Sequence, residues 1–405
     1  MVTSRERVAL ALSHTEPDRV PLDLGSTAVT GIMATALGKL RSALGLEPRR
    51  VRIHEPYQML GQVDDDLLDA LDVDVIGLYE ENTMFGFPAG GWKPFTLNNE
   101  TSAQVPGGFN TERDANGDLY QYPCADRAAP PSGRMPAGGF YHDAIERQRP
   151  DAEQRLIPEE WVRDMYRLYT DEELQSLEDR SRTLHENTSR AIIGNFGTAG
   201  FGDIAHVPGL AIRQPRGIRA VADWYMATAL HPEYVRGIFD LQLEIALRNL
   251  ALYHQAVGDR IVAVFLSGTD FGAQSGSFIS PRAYRDLYKP YHRAVNDWVH
   301  SHTSWKTFYH SCGSMISLYD DFVDAGEQDR VDADRDVVGD VDSDFREGLG
   351  GESVDGGSGA GAGRVHLDRV AGGLAQEAFG HNGLAAVLDA DEQHGWCHGR
   401  PRSVD

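Results

Sequence analysis

The chain is short of lysine, of cysteine and of long apolar runs, and each shortage excludes something. Only four lysines (Lys39, Lys93, Lys289 and Lys306) stand among 38 basic residues, against 61 acidic ones, for a formal net charge of -23. A balance so far to the acid side argues against nucleic acid or an anionic membrane surface as partner. Excess acid with scarce lysine fits a high-salt cytoplasm and a GC-rich genome. The three cysteines, Cys124, Cys312 and Cys397, are too few and odd in number for a disulfide framework, so a reducing, cytoplasmic setting is expected. No segment approaches the roughly 18 apolar residues that would cross a bilayer. The charged stretch "MVTSRERVALALSHTEPDRVP" does not read as a signal peptide.

What is present points to an α/β protein. With 405 residues, 41% of them hydrophobic, the chain has material for one large domain or two smaller ones. "TSRERVALALSHTEPDRVPLDLG" predicts a helix capped by Thr3 or Ser4, with Val8, Leu10, Ala11 and Leu12 as its apolar face, then a short strand after Pro17 and Pro21. "VDDDLLDALDVDVIGLY" repeats the pattern: a helix over 64–71, turn residues Asp72 and Asp74, and a buried strand Val73 to Leu78. Residues 82–145, rich in Gly, Pro, Asn and aromatics, read as a β-rich insertion, with "ANGD" as a hairpin turn. Helical periods then resume in "PEEWVRDMYRLYTDEELQSLEDRSRTLHENT", in residues 232–257 and in 281–302. They alternate with strands "RAIIGNFG", "IVAVFLSGTDFG" and "WKTFYHSCG". Such alternation predicts parallel β/α architecture, whose chemistry lies at the carboxyl ends of the strands.

The character changes near Asp329. Residues 329–405 hold no Ile, Thr, Tyr, Lys or Met, yet 15 of the 43 glycines. Two readings stand for this stretch: a disordered acidic tail, or a GC-rich coding sequence translated out of frame. On either, it is not expected to supply strands to the sheet.

The chemistry-bearing residues gather at strand ends. His310 and Cys312 have H-x-C spacing, which on a strand puts both side chains on one face. Zinc accepts imidazole and thiolate together. The alternatives are a buried cysteine beside a hydrogen-bonded histidine, or a Cys–His nucleophile pair, which needs a third group to orient it. Asp270 in "SGTDFG" can act as a base, orient substrate or fix a histidine tautomer, or else cap a turn. Gly268 and Gly272 beside it would let backbone approach a ligand. Glu55 and Tyr57 in "IHEPYQML" are candidates for lining the same mouth, against a surface-loop alternative. Cys397, in "HGWCHG", is a candidate further metal ligand.

Four segments carry a resemblance: "TSRERVALALSHTEPDRVPLDLG", "GLYEENTMFGFP", "SGTDFGAQSGSFISPRAYRDLYKPYHRAVNDWVH" and "FYHSCGSM". Together they resemble the uroporphyrinogen decarboxylase superfamily, over about residues 3–328, and within it the branch of the cobamide-dependent methyltransferases. The resemblance implies a TIM-like (β/α)8 barrel. It implies zinc on His310 and Cys312 with a later cysteine, a corrinoid carried by a partner protein, and methyl transfer to or from a small thiol, amine or methoxylated compound. The alternative is decarboxylation of uroporphyrinogen, for which family members carry an Arg-rich "RQAGRY" loop. Here the matching "PLDLGSTAVTGIM" has no arginine. Members also continue from "DAG" into a strand, a Gly-Gly-x-Asp strand end and a late His-Asn loop. "VDAGEQDRVDADRD" departs from this pattern, so a barrel incomplete at its C-terminal side, or an inactive truncated homologue, is a further expectation.

Overall fold

A computed structural model describes residues 2–98 and 100–326. Cys397 and both readings of the 329–405 stretch lie outside the described residues.

The opening helix, Ser4–Leu12, starts where its sequence dictates. Thr3 Oγ1 accepts from the Glu6 N–H at 3.2 Å, and the Glu6 carboxylate accepts from the Thr3 N–H at 2.8 Å. Two of the helix's otherwise orphaned donors are thereby satisfied. Val8 and Leu12 pack on Val75 and Ala191, at the start of the main sheet. The short strand expected after Pro17 and Pro21 does not form. Asp74 N–H donates to the Leu22 carbonyl, but the Leu22 N–H donates to the Asp74 carboxylate at 2.9 Å, so a side chain takes the place of the next ladder bond.

The main sheet has four strands, Val75–Leu78, Ala191–Asn195, Ala263–Ser267 and Lys306–Tyr309, all parallel and neighbouring in chain order. Parallel neighbours need crossover connections, and helices supply them. Pro158–Met165 and Asp171–Asn187 precede the second strand, Val221–Leu230 and Pro232–Val257 the third, and Pro281–Leu287 and Lys289–His302 the fourth. Two predicted helices are in fact pairs. Thr170 starts a new helix after a break, with a second capping box to Glu173. The other breaks at Tyr288, just ahead of Pro290, whose missing N–H suits the first turn of the next helix.

One face of this sheet, with Leu78, Ile192, Val264 and Leu266, packs under the helices against Trp161, Trp224, Phe239, Tyr253 and Tyr284. Burying each large side chain there contributes on the order of 1.5–3 kcal/mol. The other face carries Ile193, Asn195, Phe265 and Phe308, which are only half-buried; Phe265 and Phe308 meet edge to face at 5.3 Å. Among the described residues, Val75–Leu78 and Lys306–Tyr309 pair on one side only. The described strands thus form a four-stranded, all-parallel sheet with helices as its connections.

Residues 82–145 carry antiparallel strands. Lys93–Thr96 and Ser102–Val105 form one pair, and the latter also adds in parallel to Val51–Glu55. Glu112–Arg113, Leu119–Gln121, Gly133–Met135 and Asp143–Ala144 form a meander. Its first hairpin turns at "ANGD", where Gly117 has φ +92°. A second core of Ile53, Phe85, Phe87, Phe109, Leu119 and Met135 holds these sheets together.

Candidate functional site

The third and fourth parallel strands are paired, so the loops that leave their carboxyl ends run side by side. Three cross-loop bonds fix them. His310 N–H donates to the Ser267 carbonyl at 2.9 Å, Phe271 N–H to Ser311 Oγ at 2.9 Å, and Cys312 N–H to Asp270 Oδ1 at 2.7 Å. His310 Nε2 then lies 3.2 Å from Cys312 Sγ and 3.8 Å from Asp270 Oδ1, and donor atoms of all three residues fall within 4.8 Å of one another. The strand ends at Tyr309, so side-chain alternation along a strand is not what joins His310 to Cys312. The cross-loop bonds do it.

This donor set fits a tetrahedral zinc ion. A nitrogen and a sulfur bound at about 2.0 and 2.3 Å, seen from the metal at a tetrahedral angle, are about 3.5 Å apart. The observed His310 Nε2 to Cys312 Sγ separation of 3.2 Å is close to that value. The His310 side chain is 8% exposed, and its Nδ1 is buried without a hydrogen-bond partner among the described residues.

The electrostatics point the same way. Burial pushes the Cys312 thiol up to about 12, and the charges of Asp270 and Asp203 push in the same direction. Burial lowers His310, against the pull of the same two carboxylates. A Cys–His nucleophile pair needs a thiol whose pKa is depressed; here it is raised. A bound cation reverses that balance, because it favours the thiolate and offsets the carboxylates.

The other sequence candidates divide. Gly272 serves the scaffold. A Cβ on it would lie 2.7 Å from the Ser314 carbonyl oxygen, and Ser314 N–H donates to Ala273 O at 2.8 Å, so its lack of a side chain lets the two loops touch. Gly268 opens toward a residue that the sequence reading overlooked, since a Cβ there would lie 3.3 Å from Asp203 Oδ2. Glu55 is no surface-loop residue. Its two oxygens accept from the Tyr57 N–H at 2.7 Å and the Met84 N–H at 3.1 Å, and burial raises its carboxyl to about 7. Both oxygens clasp backbone, so Glu55 fastens two segments together. Tyr57 packs edge-on against Phe85 at 6.1 Å. Burial raises its phenol, as do the charges of Asp143, Asp203 and Glu55. Cys124 is exposed, with Sγ 3.3 Å from the Ala211 carbonyl.

Asp203, in "GFGDIAH", joins the site only in three dimensions. It is 7% exposed, and its charge is felt at both His310 and Cys312. Glycines and a lone carboxylate in an irregular segment carried no periodic or motif signal. The chain matches no protein-family model and no curated protein.

Proposed function

We propose that this chain is a zinc-dependent methyltransferase of the uroporphyrinogen decarboxylase superfamily, with its parallel sheet forming part of a β/α barrel. The reaction would move a methyl group to or from a small thiol, amine or methoxylated compound, with a corrinoid on a partner protein as the other methyl carrier. The observation that carries this reading is the convergence of His310 Nε2, Cys312 Sγ and an Asp270 carboxylate oxygen within 4.8 Å, at the carboxyl ends of two adjacent parallel strands. Asp270 thus moves from the catalytic role expected of it into the ligand set, in the position for which a later cysteine was expected. Three protein donors are the number used by catalytic zinc sites, which leave the fourth position to water or substrate. When bound, zinc supplies the positive charge that keeps a thiol deprotonated at neutral pH. The protein's own part is to hold the three donors on two braced loops and to bury the imidazole.

The decarboxylase alternative is less well supported. A tetrapyrrole with many carboxylates calls for clustered cations, whereas the charges acting on His310 and Cys312 are those of Asp270 and Asp203.

The test is metal content. The full chain, purified without added chelator, is expected to hold about one zinc per molecule by elemental analysis. His310→Ala and Cys312→Ser are each expected to lose it, while Gln274→Ala, an exposed residue of the adjoining loop, keeps it. Zinc-free wild-type protein that also fails to take up added zinc would overturn the reading.

A further inference from the structure

The loop that carries Asp270 is tethered peptide by peptide. The strand before it ends at Ser267, and Gly268 and Gly272 flank the aspartate. Past the strand end the ladder no longer supplies partners, so each backbone polar group needs another. The Thr269 N–H donates to Ser267 Oγ at 3.2 Å, and the Phe271 N–H to Ser311 Oγ at 2.9 Å. The Phe271 carbonyl accepts from the Phe278 N–H at 2.7 Å. The Asp270 carbonyl accepts from the Tyr225 hydroxyl at 2.6 Å.

Tyr225 differs from the other tethers in origin. Ser267 and Phe278 belong to the same stretch of chain, and Ser311 to the loop of His310 and Cys312. Tyr225 stands on helix Val221–Leu230, 45 residues away, which is anchored in the core by Trp224 and Ala227. Its ring is seated 4.8 Å from that of Phe278, at 34°. Burial raises its phenol above the ordinary value, so the hydroxyl keeps its proton and donates. The bond goes to the main chain and uses neither carboxylate oxygen, so it fixes Asp270 without competing for the atoms that would hold an ion. Turning the Asp270 peptide would displace Oδ1, which accepts from the Cys312 N–H at 2.7 Å and lies 3.8 Å from His310 Nε2.

We infer that Tyr225 is a positioning residue for the group Asp270, His310 and Cys312, coupling helix Val221–Leu230 to the place where the three converge. Displacing the helix, or the Phe278 seat of the ring, releases Asp270, so the preceding β/α crossover sets how tightly the group holds an ion. This deepens the preceding proposal by naming a control point of that site, and it rests on that proposal for the identity of the ion. The tether on Asp270 itself needs no metal.

The experiment compares the full-length wild type with Tyr225→Phe, which keeps the ring against Phe278 and removes only the hydroxyl. Zinc affinity is read by competition with a chromophoric chelator, and amide hydrogen exchange of the chelator-treated proteins by mass spectrometry. Tyr225→Phe is expected to bind zinc about 10-fold or more weakly, the loss usual for partners that orient metal ligands. Without metal, its Cys312 N–H is expected to exchange several-fold faster, while strand Ala191–Asn195 exchanges as in the wild type. A general loss of stability would speed both. Tyr291→Phe, which removes a hydroxyl donating to Asp240 at 2.8 Å, is expected to change neither readout. Should Tyr225→Phe not fold, Phe278→Ala, at a position 44% exposed, unseats the ring and is expected to weaken zinc and speed Cys312 exchange as well. Zinc affinity unchanged in the variant that folds, or Cys312 exchange equal to that of the wild type, would overturn the inference and leave the metal reading standing. If the wild type binds no zinc, the metal reading fails, and faster exchange confined to the Cys312 loop of Tyr225→Phe upholds the tether.

Discussion

The two ends of the parallel sheet handle charge in opposite ways. At the amino end, Asp74 is fully buried yet fully answered. Arg7 reaches it at 2.7 Å, Arg19 at 2.6 Å and the Leu22 N–H at 2.9 Å, and Arg7 also holds Asp18 at 2.6 Å. Burial works to raise the Asp74 carboxyl, but the Leu22 N–H, Arg19, Ser4 and Arg7 together outweigh it and bring it below its ordinary value. At the carboxyl end, Asp203 and Asp270 have no arginine or lysine partner among the described residues, and their charges act on His310 and Cys312. Where charges are matched inside the protein, they fasten the chain. Where they are left without a cation beside a thiol and an imidazole, they raise the thiol and oppose the lowering of the imidazole.

That contrast can be broken at the amino end first, with the largest expected effect. Asp74→Ala removes the buried acceptor shared by Arg7, Arg19 and the Leu22 N–H, and leaves the 9% exposed Arg7 side chain with Asp18 as its remaining carboxylate. A loss of about 3–5 kcal/mol is expected from urea unfolding, the range for removing one member of a buried ion pair. A loss below about 1 kcal/mol would mean that the amino end is no better fastened than a surface pair.

A buried carboxylate held by backbone donors alone can be probed by pH. Glu55 has a folded-state value of about 7 against an ordinary 4.5, so between those values the folded protein holds a proton that the unfolded chain releases. Its contribution is therefore complete at low pH and declines as pH rises from about 4.5 to about 7, by at most roughly 1.4 kcal/mol per pH unit. Urea midpoints measured across this window in wild type and Glu55→Gln are expected to differ in slope, with the variant flatter. An offset between them is also expected, because the amide cannot accept from both the Tyr57 and the Met84 N–H. Parallel curves would show that Glu55 is not the protonated group described here.

The smallest effect is a control away from both ends. Thr170→Ala removes the hydroxyl that accepts from the Glu173 N–H, and should cost about 1 kcal/mol without altering zinc content. A variant of this kind separates general loss of stability from loss of a site.

Much of the fold was open to reading from local pattern. The first helix and its capping box, the long helix Pro232–Val257, the "ANGD" hairpin and all four parallel strands follow from periodicity, caps and turn residues that act over a few positions. So does the H-x-C spacing at His310 and Cys312. Errors fell where partners are distant in the chain. Asp74 looked like a turn residue because nothing near it shows that Arg7 and Arg19 converge on it. Leu22 looked like a strand because its neighbours have strand composition, while the carboxylate that captures its N–H lies 52 residues away.

By itself, then, the sequence determined the α/β class, the alternation of helix and strand, and the presence of an imidazole and a thiol two residues apart. The tertiary structure alone decided that Asp270 joins their group, that Glu55 clasps two backbone segments, and that Asp203 is buried with its charge acting on both. The reason is physical. Helix and strand formation respond to interactions within a turn or two of chain, whereas the protonation and ligand-binding capacity of a carboxylate depend on burial and on charges a few ångströms away in space, which strand pairing brings from anywhere in the sequence.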